Sequence, residues 1–263
     1  MLPLTMLFCF QYADLEEEEL DNKSSIVAEE AAQISQFYSL LTTSIDMIYK
    51  FCDRIPGFND LCKPDRDLLF RSACLELFTL RLSHRCVANP PVQYSHLLLA
   101  PRTLPNSLKL TFCNGTVLHR NQVQSTFGDW LLGITELSKS LQAIDIDASA
   151  YACLSALTLV NGRPKYQDML MTKHTLFPER HGLLEPKKVE SLQTKIINSL
   201  RDHVTYNPEA QKKPQYFTRI LDKLQVLRSL SQQALQRIFY LRLEGLVPEP
   251  PIIERMFSSS IPF

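Results

Sequence analysis

Apolar residues recur at Ile34, Phe37, Leu41, Ile45, Ile48, Cys52 and Ile55, a three-four spacing that Pro56-Gly57 ends. That rhythm places one apolar stripe along a helix, and a proline-glycine pair is a strong stop. The next stretch, Asp65 to Arg85, is apolar on nearly every side: Leu68, Leu69, Phe70, Ala73, Cys74, Leu75, Leu77, Phe78, Leu80 and Leu82 leave almost no polar face. A helix of that kind must be covered all round, so it is expected to run through the middle of the fold. Leu108 to Arg120 carries two short β-prone runs around Asn114-Gly115 and predicts the one hairpin.

Helical spacing then resumes at Phe127, Trp130, Leu131, Ile134, Leu137 and Leu141. Asp147 is placed to cap a buried helix through Tyr151, Leu154 and Leu157. Pro186 opens another, with Val189, Leu192, Ile196, Leu200 and Val204 on one face, before Asn207-Pro208 breaks it. A long helix is expected from about Pro214 to Gly245. The chain's last amphipathic piece follows Pro250-Pro251, with Ile252 and Ile253 one turn from Met256 and Phe257. A helix of about seven residues cannot hold itself together in water, so this one must dock, and a marginally docked helix can act as a switch. The spans 87–106 and 161–178 carry proline and lack periodicity, and read as inserted surface loops.

Composition narrows the function classes. Lys+Arg and Asp+Glu both total 28, so there is no net charge. A domain that grips nucleic acid by itself carries a basic surplus or stripe, so none is expected here. Seven glycines in 263 residues leave little room for phosphate-cradling loops. The seven cysteines contain no Cys-x-x-Cys pair, which excludes zinc-finger spacing and fits reduced thiols used as small core residues. Met1 to Phe10 is apolar but too short to span a bilayer and lacks the basic start of a signal peptide. With the acidic run Glu16 to Glu19 behind it, residues 1–31 read as a solvated, disordered leader, and no membrane or targeting segment is expected.

Several strings in this chain point to one family. Phe51-Cys52-Asp53-Arg54-Ile55-Pro56-Gly57-Phe58 followed by Asp65-Arg66-Asp67-Leu68-Leu69 resembles the signature of nuclear receptor ligand-binding domains. The likeness tightens toward the NGFI-B/Nurr orphan receptors at Gln36-Phe37-Tyr38, Leu75-Glu76-Leu77-Phe78, Phe112-Cys113-Asn114-Gly115 and Val117-Leu118-His119-Arg120. It continues through Arg201-Asp202-His203-Val204-Thr205, Leu235-Gln236-Arg237-Ile238-Phe239-Tyr240-Leu241 and Ile261-Pro262-Phe263. The resemblance covers about 32–263 and implies an all-α layered helical sandwich with one short β-hairpin. The family's zinc-finger DNA-binding domain and its usual first helix match nothing here, so zinc is expected only in a domain outside these residues.

The resemblance also assigns sites. Such receptors clamp a coactivator's Leu-x-x-Leu-Leu helix between a Lys and a Glu that face opposite ends of its dipole. Asp53 stands at the Lys position and Arg255 at the Glu position, with Ile252, Ile253, Met256 and Phe257 beside the groove. Both signs are inverted, as in the NGFI-B/Nurr receptors. From residue type alone, Asp53 and Arg255 are two solvated charges. The resemblance further implies that Phe78, Phe112, Phe127 and Trp130 fill the lipophilic pocket position, with Cys74 where the family has Phe. It puts a dimerisation face on the long helix, at Arg228, Gln232, Leu235 and Arg242. The expected partners are coregulators, a second receptor in a homodimer or heterodimer, and a lipophilic small molecule if the pocket admits one. The expected setting is the nucleus.

Two rival classes of function bear on these residues. No His-Glu-x-x-His, nucleophile elbow or paired-carboxylate motif surrounds His84, His119, His181 or His203, so no enzyme is expected. A dimerisation or corepressor-like module without regulated docking stands as the alternative, and exposed apolar surface between Arg228 and Arg242 would favour it.

Overall fold

The computed structural model describes residues 4–86, 108–161 and 182–257, with side chains from Ser25 onward. The two expected insertions lie almost wholly outside these residues, as does the Ile261-Pro262-Phe263 ending. Among the described residues the order is α1 (Leu4–Cys52), α2 (Lys63–Arg85), β1 (Lys109–Thr111), β2 (Val117–His119), α3 (Arg120–Phe127), α4 (Trp130–Ala143), α5 (Ala148–Val160), α6 (Pro186–Tyr206), α7 (Pro208–Gln211), α8 (Tyr216–Glu244) and α9 (Pro251–Phe257). This is an all-helical sandwich with one small antiparallel pair of strands.

α2 is the central element. It packs against α1, α4, α5 and α8, and twelve side chains from Leu69 to Ser83, and Asp65 before them, are buried. Its all-round apolar sequence therefore meets neighbours on every side. α1, with α3 and α9 against it, covers one flank; α4 and α8 cover the other, and α6 packs on α5. No described helix is long and apolar enough to cross a membrane.

Local differences from the sequence reading have physical causes. α1 begins at Leu4, so the stretch read as an irregular leader is helical. It holds no proline or glycine after Pro3 and is rich in Ala, Leu, Glu and Gln, which favour helix. α3 and α4 are separate helices although apolar spacing runs across their junction, because Gly128 takes φ +53° between them. The hairpin register is Lys109↔His119, Leu110↔Leu118 and Thr111↔Val117. Asn114-Gly115 is not a two-residue turn there: the Gly115 amide donates to Phe112 O and the Phe112 amide to Thr116 O. That is a three-residue loop, a turn followed by a glycine at φ +87°. α8 starts at Tyr216 rather than Pro214, behind Gln215 in the left-handed region.

Gly133 sets the distance between α4 and α8. A Cβ there would lie 2.2 Å from Leu230 Cδ2, so any larger residue requires the Leu230 side chain to move.

Candidate functional site in the aromatic core and the C-terminal helix

Four rings close on one another in the interior, between α2, the hairpin and the α3–α4 junction. Phe127 stacks on Trp130 with centroids 5.0 Å apart and planes at 15°. Phe78 lies 6.0 Å from Trp130 and 6.3 Å from Phe112, which is 6.3 Å from Phe127. All four are exposed by 2% or less. Phe37 of α1 adds an edge-on contact to Phe127 at 5.1 Å, a ring that the sequence reading placed only on a core stripe. Edge and offset contacts at these separations are favourable geometry for aromatic side chains.

Cys74 is fully buried on α2, one helical turn before Phe78. Burial, reinforced by the neighbouring Cys52, pushes its thiol well above the ordinary range, while Cys52 is pushed up to about 12 by burial. Both sulfurs are therefore neutral packing groups. None of the described clefts is lined by Cys74.

α9 meets the fold through two residues on one side. Ile253 and Phe257 are buried, and Ile252 and Met256 are half-buried against the same core. Glu254 and Arg255 are exposed. Arg255 Nε donates to Pro251 O of its own helix at 3.3 Å. Asp53 is exposed just past the end of α1, where its carbonyl accepts from Asn59 Nδ2 at 2.8 Å. It borders a shallow cleft of about 40 Å³ with Tyr49, Lys63, Arg66 and Phe70 among its lining. Lys63 and Arg66 put cations beside Asp53, which the sequence reading did not foresee.

Two polar clasps hold the helices that carry these features. Asp65 is wholly buried and accepts from the amides of Leu184 and Glu185 at 2.7 and 2.8 Å. Burial works against its charge, but those two amides and the Cys62 thiol hold the carboxyl below its ordinary value. Cys62, Asp65 and Glu185 bring three ligand-type atoms within 4.8 Å of one another. Because both Asp65 oxygens already accept amides, this trio works as a joint between α2 and the start of α6. The second clasp is Asp147. Its Oδ1 caps α5 through the Ala150 amide at 3.0 Å, and its Oδ2 lies 2.9 Å from both His203 Nε2 and Tyr216 Oη.

Residues 22–244 match the family model for the ligand-binding domain of nuclear hormone receptor. The chain belongs to that family. It is 50% identical over 255 residues to the probable nuclear hormone receptor HR38 of Drosophila melanogaster, covering 97% of this chain and 20% of that protein. Against HR38 of Bombyx mori the identity is 46%, over 88% of this chain and 54% of the relative. Nuclear receptor subfamily 4 group A member 2 of Xenopus tropicalis is 43% identical over 89% of this chain and 34% of its own length. The chain thus spans between a fifth and about half of these relatives. The family match begins inside the stretch read as a leader.

Within the receptor domain, the expected dimer helix α8 requires one correction. Leu235 is 3% exposed and belongs to the core, on the buried line Leu227, Leu230, Ala234, Leu235, Ile238 and Leu241. It cannot face a partner on a free surface. Arg228 and Gln232 are half-buried and Arg242 is exposed. Between Arg228 and Arg242 the one large apolar residue counted as exposed is Tyr240, at 54%. Gln233, Gln236, Arg237 and Tyr240 instead border an open groove of about 620 Å³, lined on its other side by Phe127, Asp129, Trp130 and Glu136.

Proposed function

We propose that this receptor domain regulates transcription without a ligand in its interior, recruiting coregulators through α9 while a zinc-finger domain outside these residues contacts DNA in the nucleus. The observation that carries this reading is the mutual packing of Phe78, Phe112, Phe127 and Trp130, each 2% exposed or less, at the position where the resemblance expects a lipophilic pocket. A cavity filled by its own rings needs no hormone to complete the core on which α9 docks.

The charge pattern bears on which partner is recruited. With Asp53 and Arg255 at the clamp positions, each end of a Leu-x-x-Leu-Leu helix would meet the wrong sign, at a cost of about 0.3–1 kcal/mol per contact. Recruitment then rests on the apolar edge of α9, Ile252 and Met256, more than on a charge clamp. The alternative, a dimerisation module, draws on Tyr240, Leu243 and Leu246 at the end of α8, all exposed. Homodimerisation or pairing with another nuclear receptor is compatible with either reading.

The deciding experiment fuses the domain to a heterologous DNA-binding domain in a reporter assay in lipid-stripped medium. Activity without added ligand, lost on deleting 250–263 while self-association is kept, supports the proposal. Activity indifferent to the deletion overturns it in favour of dimerisation. Binding of a Leu-x-x-Leu-Leu peptide should appear in Asp53→Lys with Arg255→Glu; no gain by the double variant would refute the inverted clamp.

A further inference from the structure

The open groove between α4 and α8 offers hydrogen bonds and negative charge rather than an apolar wall. Its volume, about 620 Å³, falls in the roughly 300–1,000 Å³ range of binding clefts. Asp129 and Glu136 line the α4 side, both exposed. Seven residues separate them, so they stand on one face of the helix, two turns or roughly 10 Å apart. Asp129 occupies the N-cap position of α4 but accepts no bond from the first turn. An acid there suits the helix dipole in any protein, so by itself it indicates nothing.

The other wall supplies the second observation. Gln233 and Gln236 are exposed on α8, and neither side-chain amide has a hydrogen-bond partner among the described residues. Arg237, the one cation lining the groove, is drawn away to Thr126 O at 2.6 Å and Glu244 at 3.5 Å. Trp130 also lines the groove, yet it is only 2% exposed and its Nε1–H has no acceptor among the described residues. A buried donor without an acceptor is unfavourable, and an incoming carbonyl would relieve it.

These groups distinguish between occupants. A docked helix has its backbone groups paired internally and leaves the glutamines nothing but side chains. An extended segment exposes a carbonyl and an amide at every residue, and a glutamine amide both donates and accepts. Paired carboxylates select lysine or arginine on that segment through charge-assisted hydrogen bonds. We propose that the α4–α8 groove binds an extended, basic segment of a partner protein. Gln233, Gln236 and Trp130 hold its backbone, and Asp129 and Glu136 hold its cations. The site makes no use of α9, so its test and that of the activation reading are independent.

The test uses the full 263-residue chain, whose one tryptophan is Trp130 and reports on the groove by its fluorescence. The probe is acetyl-(Lys-Arg)3-amide. The controls are acetyl-(Glu-Asp)3-amide and spermine, a polycation without carbonyls. The basic peptide should shift the tryptophan emission with saturation at one site, and both controls should bind at least tenfold more weakly. Asp129→Asn with Glu136→Gln should weaken the peptide by roughly tenfold, the scale of two exposed charge contacts. Gln233→Ala with Gln236→Ala should weaken the peptide and leave spermine unchanged. Circular dichroism establishes that each variant remains folded, and should one unfold, the comparison with spermine on the parent chain decides. Absence of peptide binding, equal binding of spermine, or peptide binding unchanged in the folded variants overturns the proposal. So does a dimer of the chain that both pairs of substitutions dissociate while the peptide has no effect, which would assign the groove to a second copy.

Discussion

Glu249 Oε2 lies 3.8 Å from Arg242 Nε, with the glutamate side chain 8% exposed and its Oε1 without a hydrogen-bond partner among the described residues. This carboxylate stands between Pro248 and Pro250, immediately before α9. Its one ion-pair contact is long, on an arginine that is itself exposed. Tyr38 Oη on α1 is buried nearby and also unpartnered, its hydroxyl pushed up to about 12 by burial and by the Glu249 charge. The entrance to α9 therefore carries an incompletely paired charge.

That arrangement fixes a direction for pH. Burial raises the Glu249 carboxyl above its ordinary 4.5, partly offset by the pull of Arg242, with a smaller upward push from Glu254. The docked state favours the protonated form, so the contribution to α9 docking is fullest below about 4.5 and is lost as pH rises through the elevated value. At neutral pH, Glu249→Gln should make α9 dock more firmly. Protection from hydrogen exchange across Pro251–Phe257, taken relative to the intrinsic rate at each pH, should rise in the variant and lose its pH dependence. Faster exchange at neutral pH would mean that the Arg242 contact outweighs the burial of the charge.

Asp147 gives the opposite sign. Burial would raise it, but the Ala150 amide, His203 and Tyr216 together bring the carboxyl down to about 2. Because it is ionised, His203 Nε2 acts as the donor in their contact. Its stabilising contribution is present above the ordinary 3.8 and is lost as pH falls from there toward about 2. Thermal unfolding of the parent should weaken across that window, and Asp147→Asn should flatten the profile. Asp147→Ala should cost about 0.5–2 kcal/mol at neutral pH through the lost cap of α5.

The long helices were legible because their burial is written at local spacing. Ile34 to Ile55, the all-round apolar α2, and the paired apolar residues of α9 each declare a face without reference to anything distant. Asp65 did not, since its partners are two backbone amides 119 and 120 residues away, and amides carry no side-chain signature. Leu235 was placed on a dimer surface by resemblance, yet the spacing from Leu227 to Leu241 already put it on the buried line. The α3–α4 break was hidden because Phe127, Trp130 and Leu131 keep helical spacing across a glycine that leaves the helical region.

Gly133 provides a test of the packing between α4 and α8. Its missing Cβ would meet Leu230 Cδ2 at 2.2 Å, closer than any side chain tolerates without movement. Gly133→Ala gains about 1 kcal/mol of helix propensity, but the forced shift costs more, typically about 1–3 kcal/mol for overpacking. Net destabilisation in denaturant unfolding is expected, and Leu230→Ala in the same chain should relieve the clash at the expense of its own lost burial. A stabilised single variant would mean that Leu230 has a free alternative rotamer.

Cys74→Phe decides whether the interior has room. Cys74 is fully buried on α2 one turn before Phe78, and none of the described clefts is lined by it. A phenyl ring at that position has to displace Phe78 or push on Cys52, so the variant should lose about 1–3 kcal/mol of stability through overpacking. Should unfolding instead shift to higher denaturant, an unfilled apolar space would exist beside Cys74, of the kind that accepts small apolar ligands. The core would then need a guest to be complete, and the ligand-independent reading of this domain would fall with it.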